Sequence, residues 1–254
     1  CCGRITAGPA MLSSVLLLAL TGAALTGAHA LQPPGMFHDG ETVARHGERW
    51  LALRVHDGDA SLRMARLRVK RVFDIIADAE GEATGQEIES DVGDVVTYLR
   101  GPALHAGPVA VAVSEYVGEG PLPMQRLRLG DRVYRILTRC NQAVVNATQD
   151  GMTYRCRIEL SEDGKDGDVE YGPRQALVEM SASSALSAAP DIVLGDDATP
   201  HVIFAGDLDR DGRLDLIFDT SDHYNLSHPV LFLSGAAEGD ELLHAVAEHD
   251  AVGC

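Results

Sequence analysis

The residues with the clearest chemical meaning lie in one stretch, residues 207–215, which reads Asp-Leu-Asp-Arg-Asp-Gly-Arg-Leu-Asp. Aspartates occupy its first, third, fifth and ninth positions, and Gly212 occupies the sixth. A hard cation such as Ca²⁺ takes about six to eight oxygen ligands, and alternating carboxylates around a glycine turn supply them. Without a cation these carboxylates would repel one another. The stretch therefore predicts a Ca²⁺ site, and a plain acidic turn without metal is the alternative.

The flanking segments indicate which kind of calcium loop this is. An EF-hand loop begins in the same way but needs a bidentate Glu at its twelfth position, where this chain has Phe218. Residues 201–205 and 214–219 are short and rich in β-branched or aromatic side chains, which predicts strands and not the two helices of an EF-hand. The loop is therefore expected to connect two strands.

Residues 205–218, Ala-Gly-Asp-Leu-Asp-Arg-Asp-Gly-Arg-Leu-Asp-Leu-Ile-Phe, resemble the calcium loop of FG-GAP/VCBS-type repeats, which lies between strands. The chain contains a single copy, and a propeller needs several blades, so the resemblance does not imply a propeller. The wider likeness is to secreted bacterial proteins that end in one such loop, and it carries no activity. The resemblance implies four side-chain ligands and one backbone carbonyl: Asp207, Asp209, Asp211 and Asp215, with the carbonyl of Arg213.

Residues 1–30 have the composition of a secretory signal peptide, with residues 1–10 as an upstream extension. Residues 11–25 are almost wholly apolar, and Ala28-His29-Ala30 matches a cleavage site, so cleavage after Ala30 is expected. A transmembrane anchor is the alternative, because residues 11–30 just reach spanning length. With cleavage, the protein is predicted to be secreted or periplasmic in a bacterial envelope, with no membrane span remaining.

The net charge of −17 argues against nucleic acid or an anionic membrane as a partner. One basic cluster is apparent in the sequence. A solvated strand face balanced by nearby acids is the preferred interpretation of this cluster, and contact with an anionic polysaccharide or lipid headgroup is the alternative. The cluster consists of Arg63, Arg66, Arg68, Lys70 and Arg71.

Three cysteines, Cys140, Cys156 and Cys254, follow the predicted cleavage site. One disulfide among them is expected in an oxidising compartment, and the sequence leaves all three pairings open. A two-residue hairpin turn at Asp150-Gly151 would place Cys156 opposite Val145, which favours a bond from one of the two cysteines to Cys254. Three buried reduced cysteines are the alternative.

Six Asp-Gly pairs separate short apolar or alternating runs, which predicts many short strands joined by tight turns. We therefore expect a mostly β fold of antiparallel, sandwich-like sheets in one or two units. The proposed division is an N-terminal β domain at 31–120 and a C-terminal β domain at 121–254, with a boundary near residue 120. Residues 80–94 and 181–189 are predicted to be loops, and 124–129 with 133–137 a hairpin around Gly130-Asp131.

Ser221-Asp222-His223 is the strongest rival site, because it is similar to a motif of the endonuclease/exonuclease/phosphatase family in which Asp and His activate water at a phosphate. The spacing to Gly206-Asp207 is far shorter than that family's spacing. We expect a non-enzymatic protein in which Ca²⁺ is mainly structural. The alternatives are a calcium-dependent module that binds envelope polysaccharide or protein, and a metal-dependent phosphodiesterase that uses Asp222 and His223.

Overall fold

The protein is described by a computed structural model covering residues 29–118, 124–146, 151–163, 172–185 and 192–253. Across these residues the fold is all β, with several antiparallel sheets and no helix, which confirms the predicted sandwich-like class. None of the described segments could therefore cross a bilayer as an apolar helix. Most of the predicted signal peptide, residues 1–28, lies outside the described residues, as does Cys254.

The strands of the first half of the chain are short and are separated by turns. They are β1 (Ala30–Gln32), β2 (Gly35–Phe37), β3 (Arg49–His56), β4 (Asp59–Arg66), β5 (Arg68–Val72), β6 (Gly85–Glu89), β7 (Val95–Arg100), β8 (Gly107–Val111) and β9 (Val113–Val117).

The second half begins with longer strands and ends with short ones. They are β10 (Met124–Leu129), β11 (Arg132–Asn146), β12 (Gly151–Glu162), β13 (Arg174–Ala185), β14 (Val193–Leu194), β15 (His201–Asp207), β16 (Asp215–Asp219), β17 (Leu226–Ser227), β18 (Pro229–Leu233), β19 (His244–Glu248) and β20 (Ala251–Val252).

Nine strands form one sheet in the order β1-β7-β3-β4-β8-β15-β16-β18-β19, and the sheet is nearly closed into a barrel. Its two edge strands approach each other, and the side chain of Gln32 on β1 lies 3.2 Å from His249, just after β19. Strands from both predicted domains belong to this sheet, because β8 pairs with β15. Residues 119–123 lie outside the described part, and the boundary near residue 120 stays a prediction.

A six-stranded sheet, ordered β14-β13-β12-β11-β10-β9, packs against the outside of the barrel-like sheet. Leu127, Ile136 and Leu160 from this sheet share a buried cluster with Phe218 and Phe232 from the barrel-like sheet. The smaller sheet β2-β6-β5 covers another side, where Ile88 packs with Trp50 and Tyr98. The sandwich is therefore a contact between two curved sheets.

Strands β16 and β18 are buried on both faces, which explains the apolar run 216–218 between the two aspartates of β16 and the wholly apolar sequence of β18. Leu216 and Phe218 face the six-stranded sheet, whereas Ile217 points into the barrel-like core with Leu231 and Leu233. Alternate side chains of a strand point to opposite faces, so a strand between two cores has no solvent-facing position. The aspartate stretch begins where β15 ends and finishes where this doubly buried β16 begins.

Two loop predictions were wrong in part. Residues 80–94 contain β6, where Ile88 is buried opposite Val69, and residues 181–189 include the last part of β13, up to Ala185. The acidic and serine-rich compositions that suggested loops reflect strands with one solvent-facing side. The predicted hairpin around Gly130-Asp131 is confirmed, because β10 pairs with β11 across this turn.

Cys140 and Cys156 form a disulfide, which corrects the expected preference for Cys254. The strands pair from Asn146 with Gly151, so residues 147–150, which lie outside the described part, connect them in place of a two-residue turn. A bulge between Gln142 and Val144 shifts the register once more. Cys140 therefore lies directly opposite Cys156.

Candidate metal centre

The aspartate stretch connects β15 to β16, as the sequence predicts. Asp207 is the last residue of β15, and Asp215, the first of β16, pairs with Gly206. Gly212 has a φ of 82°, a left-handed conformation that favours glycine, and its N–H donates to Oδ2 of Asp207 at 3.1 Å. The turn thereby folds the stretch back on its first carboxylate.

Three of the predicted ligands converge. One carboxylate oxygen from each of Asp207, Asp209 and Asp215 lies within 4.8 Å of the other two. Oδ1 of Asp207 is buried and has no hydrogen-bond partner among the described residues. A buried carboxylate oxygen without a donor is costly, and a cation would supply the missing interaction. The donor set is all oxygen, which suits Ca²⁺ or Mg²⁺ and not a soft metal.

Asp215 is the innermost residue of the cluster and has no exposed surface. Its Oδ2 accepts hydrogen bonds from the N–H groups of Leu208 at 2.6 Å and Asp209 at 3.1 Å. Its Oδ1 accepts the N–H and hydroxyl of Ser234 at 2.8 and 2.9 Å. Burial nevertheless raises the pKa of Asp215 to about 7, and the charge of Asp209 contributes. A bound cation would favour the ionised form.

Asp209 lies nearer the surface and is held from two sides. The N–H of Asp211 donates to its Oδ1 at 3.2 Å, and the N–H of Gly235 donates to its Oδ2 at 3.1 Å. Burial and the negative charges of Asp211 and Asp207 raise the pKa of Asp209. The cluster therefore brings together negative charges that a cation would neutralise.

Asp211 is not part of the converging group. Burial opposes its ionisation, but hydrogen bonds from Arg213 and Ser234 outweigh that effect and lower the pKa of Asp211. Arg213 donates its backbone N–H to Oδ1 at 2.8 Å and its Nε to Oδ2 at 2.9 Å. Asp211 thus has its own cationic partner, and the ligand roles of Asp211 and of the Arg213 carbonyl stay predictions.

Neighbouring elements fix the loop in place. Arg210, with a φ of 66°, donates from its guanidinium to the carbonyl of His105 at 2.9 Å. The N–H of Leu214 donates to the hydroxyl of Tyr134, on β11 of the six-stranded sheet, at 3.4 Å. Burial lowers the pKa of His29, and the charge of Asp209 opposes this. The loop therefore contacts both sheets.

Ser234 and Gly235 are components of the site that sequence reasoning missed. They follow β18 and lie 19 and 26 residues from their respective aspartate partners. A Cβ on Gly235 would lie 2.3 Å from Oδ2 of Asp209, so the approach needs glycine. A Ser-Gly pair has no distinguishing local signal, because such pairs are common in turns.

The rival residues Asp222 and His223 lie in a separate turn. Nε2 of His223 pairs with Oδ2 of Asp196 at 2.8 Å, and its ring packs on Tyr224 with centroids 4.6 Å apart. The side chain of Asp222 is exposed, and its backbone carbonyl accepts the N–H of Asp196. The imidazole is therefore oriented by Asp196, a residue that the motif does not include.

Comparisons of the chain with protein-family models, with curated proteins and with solved structures gave no match. The fold and the site therefore define the class of the protein: an all-β, sandwich-like fold with a carboxylate cluster between two core strands.

Proposed function

We propose that this chain is a secreted or periplasmic calcium-binding β protein of a bacterial cell envelope, in which Ca²⁺ is mainly structural. The observation that carries the proposal is the buried, unpartnered Oδ1 of Asp207 beside the carboxylates of Asp209 and Asp215. Hydrogen bonds within the described residues already engage the other oxygens of these three side chains. The remaining oxygen and the excess negative charge are what a hard cation would satisfy.

The surroundings of the cluster support a structural role. Asp207 ends β15 and Asp215 begins β16, and Asp215 accepts hydrogen bonds from Ser234, just after β18. These are three adjacent strands of the barrel-like sheet. An ion there would link the end of β15 to the start of β16, and hydrogen bonds from Ser234 and Gly235 connect these carboxylates to the turn after β18. Secretion, as the N-terminal sequence predicts, would expose the site to extracellular calcium, for which dissociation constants of roughly 10⁻⁴–10⁻³ M are typical.

Thermal unfolding with and without calcium tests the proposal. At ten times the dissociation constant, Ca²⁺ would stabilise the fold by about 1.4 kcal/mol. For a chain of this size that raises Tm by roughly 3–6 °C, and a chelator reverses the effect. The Asp207→Ala and Asp209→Ala variants should lose this response.

Asp222→Ala is the matched control, because it removes an exposed carboxylate outside the cluster. It should keep the full calcium response. An unchanged Tm in the wild-type protein across calcium and chelator would refute the proposal. A response retained by Asp207→Ala would place the ion elsewhere.

A further inference from the structure

The outward face of the six-stranded sheet is basic, although the whole chain has a net charge of −17. Its inward face packs Leu127, Ile136 and Leu160 into the sandwich core, so the alternate residues point outward. On β10, β11 and β12 those positions carry six arginines, which we call the arginine face: Arg126 and Arg128 on β10, Arg135 and Arg139 on β11, and Arg155 and Arg157 on β12.

The strand register places arginines opposite one another. Arg126 is paired with Arg135 across β10 and β11, and Arg139 is paired with Arg157 across β11 and β12. Like charges directly opposite each other weaken a strand pair. Outward residues add nothing to the core, so the packing of the sandwich does not require arginine at these positions. The arginines therefore do not stabilise the pairing of these strands, and ligand binding is the reason for their presence that we consider.

Carboxylates neutralise only part of this charge. Arg126 pairs with Glu115 at 2.9 Å, Arg139 with Glu159 at 3.0 Å and Arg157 with Glu179 at 2.7 Å, and Arg135 pairs with Asp163. A guanidinium has five N–H donors in a fixed fork, so one carboxylate leaves several unused. Arg126, Arg139 and Arg157 can offer theirs to a ligand because their side chains are half-exposed. Arg135 is mostly buried.

Two members of the arginine face have no acidic partner among the residues that the structure describes. Arg128 and Arg155 are exposed, and neither forms an ion pair with any of the described residues. They lie on different strands, toward opposite ends of the face. The surface therefore has a positive excess and exposed donors spread over three strands.

We propose that the arginine face binds an acidic polysaccharide. Arginine forks recognise carboxylate and sulfate groups in two-point contacts that the point charge of lysine cannot make. Neighbouring strands lie about 4.8 Å apart, and successive outward residues on one strand about 6.8 Å apart. A polymer with an acidic group on each unit can therefore contact several arginines at once. This binding does not involve the calcium site, so it is independent of the proposed function.

The chemistry of the face favours a polysaccharide over nucleic acid. Proteins that bind single strands stack the bases on aromatic side chains. Along the described parts of β9 to β13, the outward positions contain no aromatic residue. Tyr134 and Tyr154 share the inward side with Ile136 and Ala182. Tyr116 on the edge strand β9 is exposed, but it is paired with Gln125 and lies on the side opposite to the arginines. The face offers ionic contacts without a stacking surface.

Binding to polygalacturonate, measured in the presence of a chelator, tests the inference. We expect the full chain to bind this uronate polymer at low salt and to lose affinity as salt screens the charges. The double variant Arg128→Glu/Arg155→Glu should bind roughly tenfold more weakly, as expected for the loss of two exposed ion pairs. Its thermal unfolding should match that of the wild-type protein.

Arg45→Glu/Arg49→Glu is the matched control, with the same charge change on exposed arginines outside both the arginine face and the basic cluster of β4 and β5. It should bind within about twofold of the wild-type protein. The inference is overturned if the wild-type chain does not bind polygalacturonate, or if Arg128→Glu/Arg155→Glu binds it as tightly as the wild-type chain. Equal loss in the control would show a general charge effect, and tighter binding of a thymidine oligonucleotide of equal charge would show a nucleic-acid surface; either result also refutes the inference.

Discussion

Ser234 donates two hydrogen bonds to the same oxygen of Asp215, from its backbone N–H at 2.8 Å and from its hydroxyl at 2.9 Å. The hydroxyl also lies 3.0 Å from Oδ1 of Asp211. Ser234, which follows β18, therefore links the buried Asp215 to Asp211, the carboxylate that pairs with Arg213.

Ser234→Ala should destabilise the protein, because it leaves Oδ1 of Asp215 with one donor fewer in a fully buried position. The expected loss is about 1–2 kcal/mol, measured by urea unfolding in a chelator. Ser227→Ala, at an exposed position of β17, is the control and should change stability by less than about 0.5 kcal/mol. Equal stabilities of the two variants would contradict the role given to Ser234.

Gly235→Ala should weaken calcium binding without removing a ligand. The added Cβ would lie 2.3 Å from Oδ2 of Asp209, so the carboxylate must move away from its position beside Asp207 and Asp215. We expect at least a roughly tenfold higher calcium concentration for the same rise in Tm, equivalent to about 1.4 kcal/mol.

Gly93→Ala is the control for this substitution, because a Cβ at Gly93 meets nothing within 4 Å. Its calcium response should equal that of the wild-type protein. If Gly235→Ala also keeps the full response, Asp209 does not need its observed position to bind the ion.

His249 should make the stability of the fold depend on pH. The side chain is 2% exposed, its Nδ1 has no hydrogen-bond partner among the described residues, and Gln32 and the ring of Phe37 pack against it. Burial lowers the pKa of His249 below its ordinary 6.5. The nearby charge of His228 also lowers this pKa, whereas the charges of Asp250 and Glu41 raise it by less than burial lowers it.

The direction of this pH dependence follows from the protons that His249 binds in the folded and unfolded states. Above about pH 6.5 the imidazole is neutral in both states, so the contribution of His249 to stability is complete. Below that pH the unfolded chain binds a proton that folded His249 resists, so this contribution falls until the folded pKa is passed. Asp215, whose pKa burial raises to about 7, acts in the opposite direction over the same range, so the effect of His249 is the difference between variants. In urea unfolding between pH 7.5 and 5, His249→Gln should lose less stability toward low pH than His201→Gln, an exposed control. An unchanged slope in His249→Gln would show that another group titrates.

The Cys140–Cys156 disulfide should stabilise the hairpin of β11 and β12. The two cysteines are 16 residues apart, and closing a loop of that length contributes roughly 3 kcal/mol. The double variant Cys140→Ser/Cys156→Ser should lose about this amount. Peptide mapping without reduction should find these two cysteines joined, and a peptide linked to Cys254 would contradict the structure.

The sequence by itself determined the strand-rich class and the location of the aspartate loop. Alternating and apolar runs between turns leave few options except β structure, because side-chain period follows backbone geometry. The loop 207–215 is likewise local, since its turn depends on Gly212 and on aspartates a few residues away. Asp207, Asp209 and Asp215 could therefore be identified without knowledge of the fold.

Only the tertiary structure decided which distant residues complete these features. Ser234 reaches Asp215 because β16 and β18 are neighbours in the sheet, and strand order is set by packing that no local pattern encodes. Cys140 meets Cys156 because a bulge changes the register by one residue. The arginine face exists because the register of β10 to β12 gathers arginines that are scattered along the chain, so the sequence showed a basic cluster only on β4 and β5.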